Sequence, residues 1–279
     1  NSPLPQADLA AHNIIVNHLS SLTPTIPVAP EEDETSLAHR NHHGPFWLID
    51  PLDGTKEFIA GNGEFTVNIT LAVEGKARWS VVHAPALDTT HWGRPGFRAY
   101  KQFTESAPHA LNTNAISNNS NQLIRTVASK SHLNAETAVF IERLGKVDLV
   151  QAGSSLKFCK LADDDADIYP RQAPTYEWDS AVAQAILEGT GGAMFEVNGK
   201  RLDYGKPSVL NPSFIATATS ELKDRALAAL GSQDVFHCIH RCWRIDWIRR
   251  WRHWRRWRRN HDACDVDIFW GVTGDSRSY

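Results

Sequence analysis

The sequence predicts an α/β fold, a layered sandwich of helices and mixed sheets, and three observations carry that prediction. Phe65, Val67, Ile69, Leu71 and Val73 alternate with polar residues, the period of a half-buried strand. Glu74-Gly75-Lys76 turns that strand into a second one through Trp79 to His83, and Leu87 to Trp92 extends the pair into an antiparallel meander. Helical patterns interrupt such strands in both halves of the chain, which is the signature of layered α/β architecture.

In chain order, Asp8 precedes a stripe of Leu9, Ile14, Ile15, Leu19 and Leu22 that ends before Pro24, predicting a helix that packs on a sheet. Ile26 to Ala29 reads as a short strand, and Glu31-Glu32-Asp33-Glu34 leaves its end as a metal-facing edge rather than a solvated loop. His39, His42 and His43 fall in a surface loop beyond it. Phe46 to Ile49 is a buried strand that stops at Pro51, because proline fixes its own φ and donates no hydrogen bond. The second half offers strands at Thr126–Ser129, Val147–Gln151 and Ile168–Arg171, and helices at Asn134–Leu144, after a cap at Ser154 or Ser155, and at Trp178–Glu188, closing at Gly189, Gly191 and Gly192. Asn198-Gly199 predicts a hairpin joining Ala193–Val197 to Lys200–Tyr204. The expected organisation is an N-terminal metal-binding half (1–111), a connecting loop (112–122), a C-terminal half (123–230) and a tail (231–279).

A chain of 279 residues with 42% apolar and 22% charged residues has the composition of a globular protein. Its charge is uneven: residues 1–235 hold 19 Lys and Arg against 27 Asp and Glu, whereas residues 236–279 hold 10 against 5. Only Cys159 of the four cysteines precedes the tail, which excludes a disulfide framework there and favours a reducing, cytoplasmic setting. No run reaches the roughly 18 apolar residues of a membrane span, and no signal region opens the chain.

Chemistry concentrates in Trp47-Leu48-Ile49-Asp50-Pro51-Leu52-Asp53-Gly54-Thr55-Lys56-Glu57-Phe58. Two carboxylates around a proline turn can hold a hard divalent cation, and the free amides of Gly54 and Thr55 at a helix start can hold an anion. A polar turn has the same composition, but a second carboxylate pair and a later Trp178-Asp179 recur at suitable distances in the chain.

Asp50-Pro51-Leu52-Asp53-Gly54-Thr55 with Trp178-Asp179 resembles the inositol monophosphatase superfamily of magnesium-dependent, lithium-sensitive phosphatases. The longer run through Asn62-Gly63-Glu64-Phe65-Thr66-Val67-Asn68, with Gly153-Ser154-Ser155-Leu156-Lys157-Phe158-Cys159 and Tyr169-Pro170-Arg171, is similar to its 3′(2′),5′-bisphosphate nucleotidase branch. The likeness extends from residue 1 to about residue 220 and implies a five-layer αβαβα sandwich. It also implies two to three Mg²⁺ ions on Glu31, Asp50, the Leu52 carbonyl, Asp53 and Asp179.

By the same resemblance, Thr55 backed by Asp8 manages the proton of the attacking water, with Glu31 at the same centre. Substrate would rest on Glu31, Leu52, Asp53, Gly54, Thr55 and Asp179, and a second phosphate on Ser129, Lys157 and Arg171. The implied reaction removes the 3′-phosphate of adenosine 3′,5′-bisphosphate. Inositol or sugar phosphate hydrolysis, or ligand binding by a truncated, inactive relative, are the alternatives. Two positions depart from the pattern, Pro5 and Pro30; neither removes a ligand, yet both alter backbone donors. Asn1-Ser2-Pro3 resembles a point some way into the family's chain, so earlier elements are expected to be missing.

From His237 to Arg259 there are nine Arg, five Trp and one acid. That composition suits an anionic membrane surface, which leaves peripheral contact with the inner membrane open, or nucleic acid. The preferred reading is a segment translated out of frame, with a small phosphorylated nucleotide as the partner and no nucleic acid.

Overall fold

The continuous apolar run of the second strand is what the first sheet is built around. In the computed structural model, which describes residues 4–31, 33, 35–40, 43–113, 123–129 and 135–230, β1 (Val28–Pro30) pairs in parallel with β2 (Pro45–Asp53). Five antiparallel neighbours follow in chain order: β3 (Thr66–Val73), β4 (Lys76–Ala84), β5 (Thr89–Gly93), β6 (Ala99–Phe103) and β7 (His109–Leu111). The last two were not anticipated, because their short, polar-rich runs carry little periodic signal.

Helix α1 (Leu4–Leu22) lies against β1 and β2. Trp47 donates its indole N–H to Thr23 Oγ1 at 2.9 Å and meets Trp79 edge-on, whereas Phe46 and Leu48 point the other way into the central core. Both faces of β2 are therefore covered, which is why it reads as an unbroken apolar run. The helix begins before Asp8, which lies within it, and the expected stripe is only half used: Leu9, Ile14 and Leu22 are 59%, 60% and 76% exposed.

The second sheet has the order β11–β12–β10–β8–β9, from β8 (Ile124–Ser129), β9 (Val147–Ala152), β10 (Ile168–Arg171), β11 (Ala193–Glu196) and β12 (Phe214–Thr217). Helices α4 (Leu156–Ala162) and α5 (Glu177–Thr190) fill the space between the sheets, and α3 (Ala135–Leu144) and α6 (Leu222–Ala229) close the far face. The result is the expected αβαβα order of layers. Helix α5 is buried from Glu177 to Leu187 except at Asp179, as befits a helix with sheets on both sides. It runs through Gly189, where a side chain would stand 3.1 Å from the Arg98 carbonyl, and stops at Gly191.

Three further expectations change. Strand β2 does not end at Pro51; it continues to Asp53 through an irregularity in its pairing with β3 between Asp50 and Asp53, where a residue without an N–H is tolerated. The Asn198-Gly199 turn forms, but its return strand reduces to one bridge, Phe195 to Arg201, because β11 pairs with β12 instead. Neither Ser154 nor Ser155 caps α4 through its side chain. Most of the connecting loop (114–122) and the tail from residue 231 lie outside the described residues. Among those described, no helix is long and apolar enough to cross a membrane.

Candidate metal centre

The irregular end of β2 turns two carboxylates toward the start of α5. Oxygens of Asp50, Asp53 and Asp179 all lie within 4.8 Å of one another. Each is held from behind. Asp50 Oδ1 accepts the Leu52 N–H at 3.0 Å, and Asp179 Oδ2 accepts the Tyr176 N–H at 2.7 Å. Asp179 is thus the third residue of its helix, reaching back to the capping residue Tyr176, rather than the cap itself.

Asp53 Oδ2 accepts from Ser155 Oγ at 2.8 Å, Asn68 Nδ2 at 3.3 Å and Thr66 Oγ1 at 3.4 Å. Asn68 also donates to Ser155 Oγ, and Thr66 and Ser154 share a 2.7 Å bond. The hydroxyls expected at the helix cap are spent on the acidic cluster and its surroundings.

Glu31 emerges one residue beyond β1, where its N–H donates to the Ile49 carbonyl. It stands outside the 4.8 Å trio, yet its charge reaches Asp50. Burial, then Asp53, Glu31 and Asp179, push the Asp50 carboxyl well above the usual range. Burial and Asp53 raise Asp179 to about 7, against the Tyr176 N–H and the charges of Arg171 and Lys157. Oxygen donors alone, crowded and poorly solvated, fit a hard divalent cation, which would relieve the repulsion that lifts both groups.

Lys157, on the first turn of α4, sits 6.0 Å from the Tyr169 ring centre, and Arg171 ends β10 with Nη2 3.4 Å from the Pro174 carbonyl. The charges of both reach Asp179, Lys157 from α4 and Arg171 from the second sheet. Gly54 precedes α2 (Thr55–Ala60) with φ 94°, and a side chain there would come within 2.9 Å of Ser154 Cβ. Thr55 is exposed at the head of α2, and α1, which carries the half-buried Asp8, contacts that helix. Ser129 ends β8 beside Ala152 of β9; its side chain lies outside the described set.

Of the acidic run after β1, Asp33 faces its own loop, accepting the Thr35 N–H and hydroxyl at 2.9 and 2.6 Å. Glu32 and Glu34 are outside the described residues. His39 and His43 are exposed. The sequence gives no sign of the Thr66, Asn68 and Ser155 network beyond their place in the motifs, and Glu177, next to Trp178, is fully buried.

A family model described as the inositol monophosphatase family matches residues 1–234, in agreement with the five layers and the acidic centre. The chain belongs to that family. Over 227 residues it is 41% identical to the 3′(2′),5′-bisphosphate nucleotidase CysQ of Salmonella typhimurium, covering 78% of this chain and 86% of that one. The protein of that name from Escherichia coli (strain K12) is 41% identical over 223 residues, covering 77% and 85%. A crystal structure of CysQ from Bacteroides thetaiotaomicron superposes with a TM-score of 0.70 at 36% identity, over 78% of this chain and 85% of that one.

Proposed function

We propose that the chain is a magnesium-dependent phosphomonoesterase that hydrolyses the 3′-phosphate of adenosine 3′,5′-bisphosphate, giving AMP and phosphate, and that it also converts the sulfated analogue PAPS to adenosine 5′-phosphosulfate. The observation that carries it is the convergence of Asp50, Asp53 and Asp179 within 4.8 Å, in a chain 41% identical to the Salmonella nucleotidase.

Glu31, Asp50, Asp53, Asp179 and the Leu52 carbonyl would hold two to three Mg²⁺ ions. When bound, magnesium supplies charge relief for phosphoryl oxygens and a nucleophilic water near neutral pH. The chain's own groups do the rest. Gly54 and Thr55 present backbone N–H groups where α2 begins, and the phosphoryl oxygens rest there. The Thr55 hydroxyl, supported by Asp8, accepts the proton of the attacking water and passes it on. Water oxygen bonds to phosphorus, the bond from phosphorus to the ribose 3′-oxygen breaks, and a proton completes the departing hydroxyl. Lys157, Arg171 and Ser129 take the 5′-phosphate, whose charge the two cations balance.

The partner in this reading is a small phosphorylated nucleotide, not nucleic acid. A cytoplasmic site of action accords with Cys159, a buried free thiol. Membrane contact rested on the tail alone and has no support from the described residues. Turnover of adenosine 3′,5′-bisphosphate and of inositol 1-phosphate measured side by side tests the substrate. The account expects kcat/KM to favour the nucleotide by at least about tenfold, the worth of one good charged contact; a preference for the inositol phosphate would reassign the chain within its family.

A further inference from the structure

Glu177 is the first residue of α5, two before Asp179, and its side chain is fully buried. Oε2 accepts Arg40 Nη1 at 2.5 Å and the Gly205 N–H at 2.8 Å, and Oε1 accepts the Lys206 side chain at 2.6 Å and its N–H at 3.2 Å. Arg40 is itself 4% exposed, and its Nη2 donates to the Lys206 carbonyl at 3.1 Å. It belongs to the connection between β1 and β2, which leaves the sheet at Glu31 and includes a short turn of helix, Ser36–His39. One carboxylate thereby ties together the segment that starts at Glu31, the helix end that carries Asp179 and the turn at 205–206.

We propose that the Arg40–Glu177 ion pair is a positioning device of the metal centre, setting the segment of Glu31 against that of Asp179. The inference rests on the metal reading above. Stability alone is a poor reason for such a pair, since well-packed apolar residues often serve a buried position as well or better. A guanidinium that bonds a carboxylate and a carbonyl at once fixes direction as well as distance. Among the described residues strand β1 stands at the edge of its sheet, paired with β2. Arg40 and Glu177 act through Glu31 and Asp179 and are positioning residues, not catalytic ones.

The test uses the full chain and two readouts: the Mg²⁺ concentration for half-maximal phosphate release from adenosine 3′,5′-bisphosphate, and the rise in melting temperature that Mg²⁺ produces. Arg201→Gln is the comparator, since it breaks a 2.7 Å ion pair with Glu188 near the other end of α5. Arg40→Gln and Glu177→Gln are expected to raise the midpoint by about tenfold or more and to shrink the thermal shift, the usual effect of losing a partner of the ligands. Arg201→Gln should leave both readouts within about twofold of the parent protein, the scatter expected of a remote site.

Arg40→Lys keeps the charge but not the double contact, and should raise the midpoint by about threefold or more. It carries the test should the neutral variants fail to fold. Unchanged midpoints and thermal shifts in the folded Arg40 and Glu177 variants, or an equal change in Arg201→Gln, overturn the inference while the nucleotidase reading stands. A parent protein that neither releases phosphate nor gains stability with Mg²⁺ overturns the reading itself.

Discussion

Ser155 Oγ donates a 2.8 Å hydrogen bond to Asp53 Oδ2, joining the two halves of the chain across 102 residues at a carboxylate of the candidate metal centre. The bond occupies one side of the carboxylate and helps set how the group stands against Asp50 and Asp179. Replacement of Ser155 by Ala should lower Mg²⁺ affinity or turnover by about 10–100-fold, the range seen when partners of metal ligands are removed. Steady-state kinetics across a Mg²⁺ titration would reveal it, and parent-like constants would show that Asn68 and Thr66 suffice to orient Asp53.

Asp50 is buried among like charges, so its ionised form opposes folding until a cation arrives. Asp50→Asn keeps an acceptor for the Leu52 N–H and removes the repulsion. In EDTA its melting temperature should exceed that of the parent by about 3 °C, what roughly 1 kcal/mol produces in a chain of this size, while the Mg²⁺-induced shift disappears. A less stable metal-free variant would mean that the crowding is relieved in some other way.

Gly54 combines φ 94° with a neighbour, Ser154 Cβ, that a side chain would approach to 2.9 Å. Gly54→Ala should cost about 1–3 kcal/mol, the usual range for a strained backbone position. Because the clash lies at Gly54, in the proposed anion site, turnover should fall as well. Denaturant unfolding together with phosphate release tests both halves of this expectation.

A second cluster ties the first sheet to α4. His91 Nε2 lies 2.9 Å from Asp163 Oδ1, whose other oxygen accepts Lys101 Nζ at 2.7 Å. Burial opposes the charged imidazole, but Cys159 and Asp163 outweigh it and raise His91 from 6.5 to about 10. A pKa raised on folding contributes stability that is complete below 6.5 and lost as pH climbs to about 10. Melting temperature should therefore fall from pH 7 to pH 10 more steeply in the parent protein than in His91→Gln; parallel slopes would remove His91 from the explanation.

Much of the fold and centre was legible because the signals are local. Asp50, Asp53 and Gly54 could be singled out from residue type and spacing, Asp179 through the family resemblance, and the meander from its period of two. What escaped depends on distant partners. Pro51 reads as a stop until β3 supplies an irregular pairing that accepts it. Ser155 reads as a helix cap until Asp53 claims its hydroxyl, and nothing local marks Glu177, whose partner Arg40 lies 137 residues away. The Asn198-Gly199 turn was visible, but β12, which takes the place of the return strand, was not. The Leu9, Ile14 and Leu22 positions show the converse: an apolar stripe gives the helix, not what covers each residue.

The most direct test of the central claim is phosphate release from adenosine 3′,5′-bisphosphate by the parent chain and by Asp53→Asn, each with Mg²⁺ and with EDTA. The account predicts turnover only in the parent chain with Mg²⁺, and a loss of at least about 10³-fold in the variant, the scale of removing a group that stabilises transition-state charge. Equal rates in the two proteins, or turnover that persists in EDTA, would contradict it.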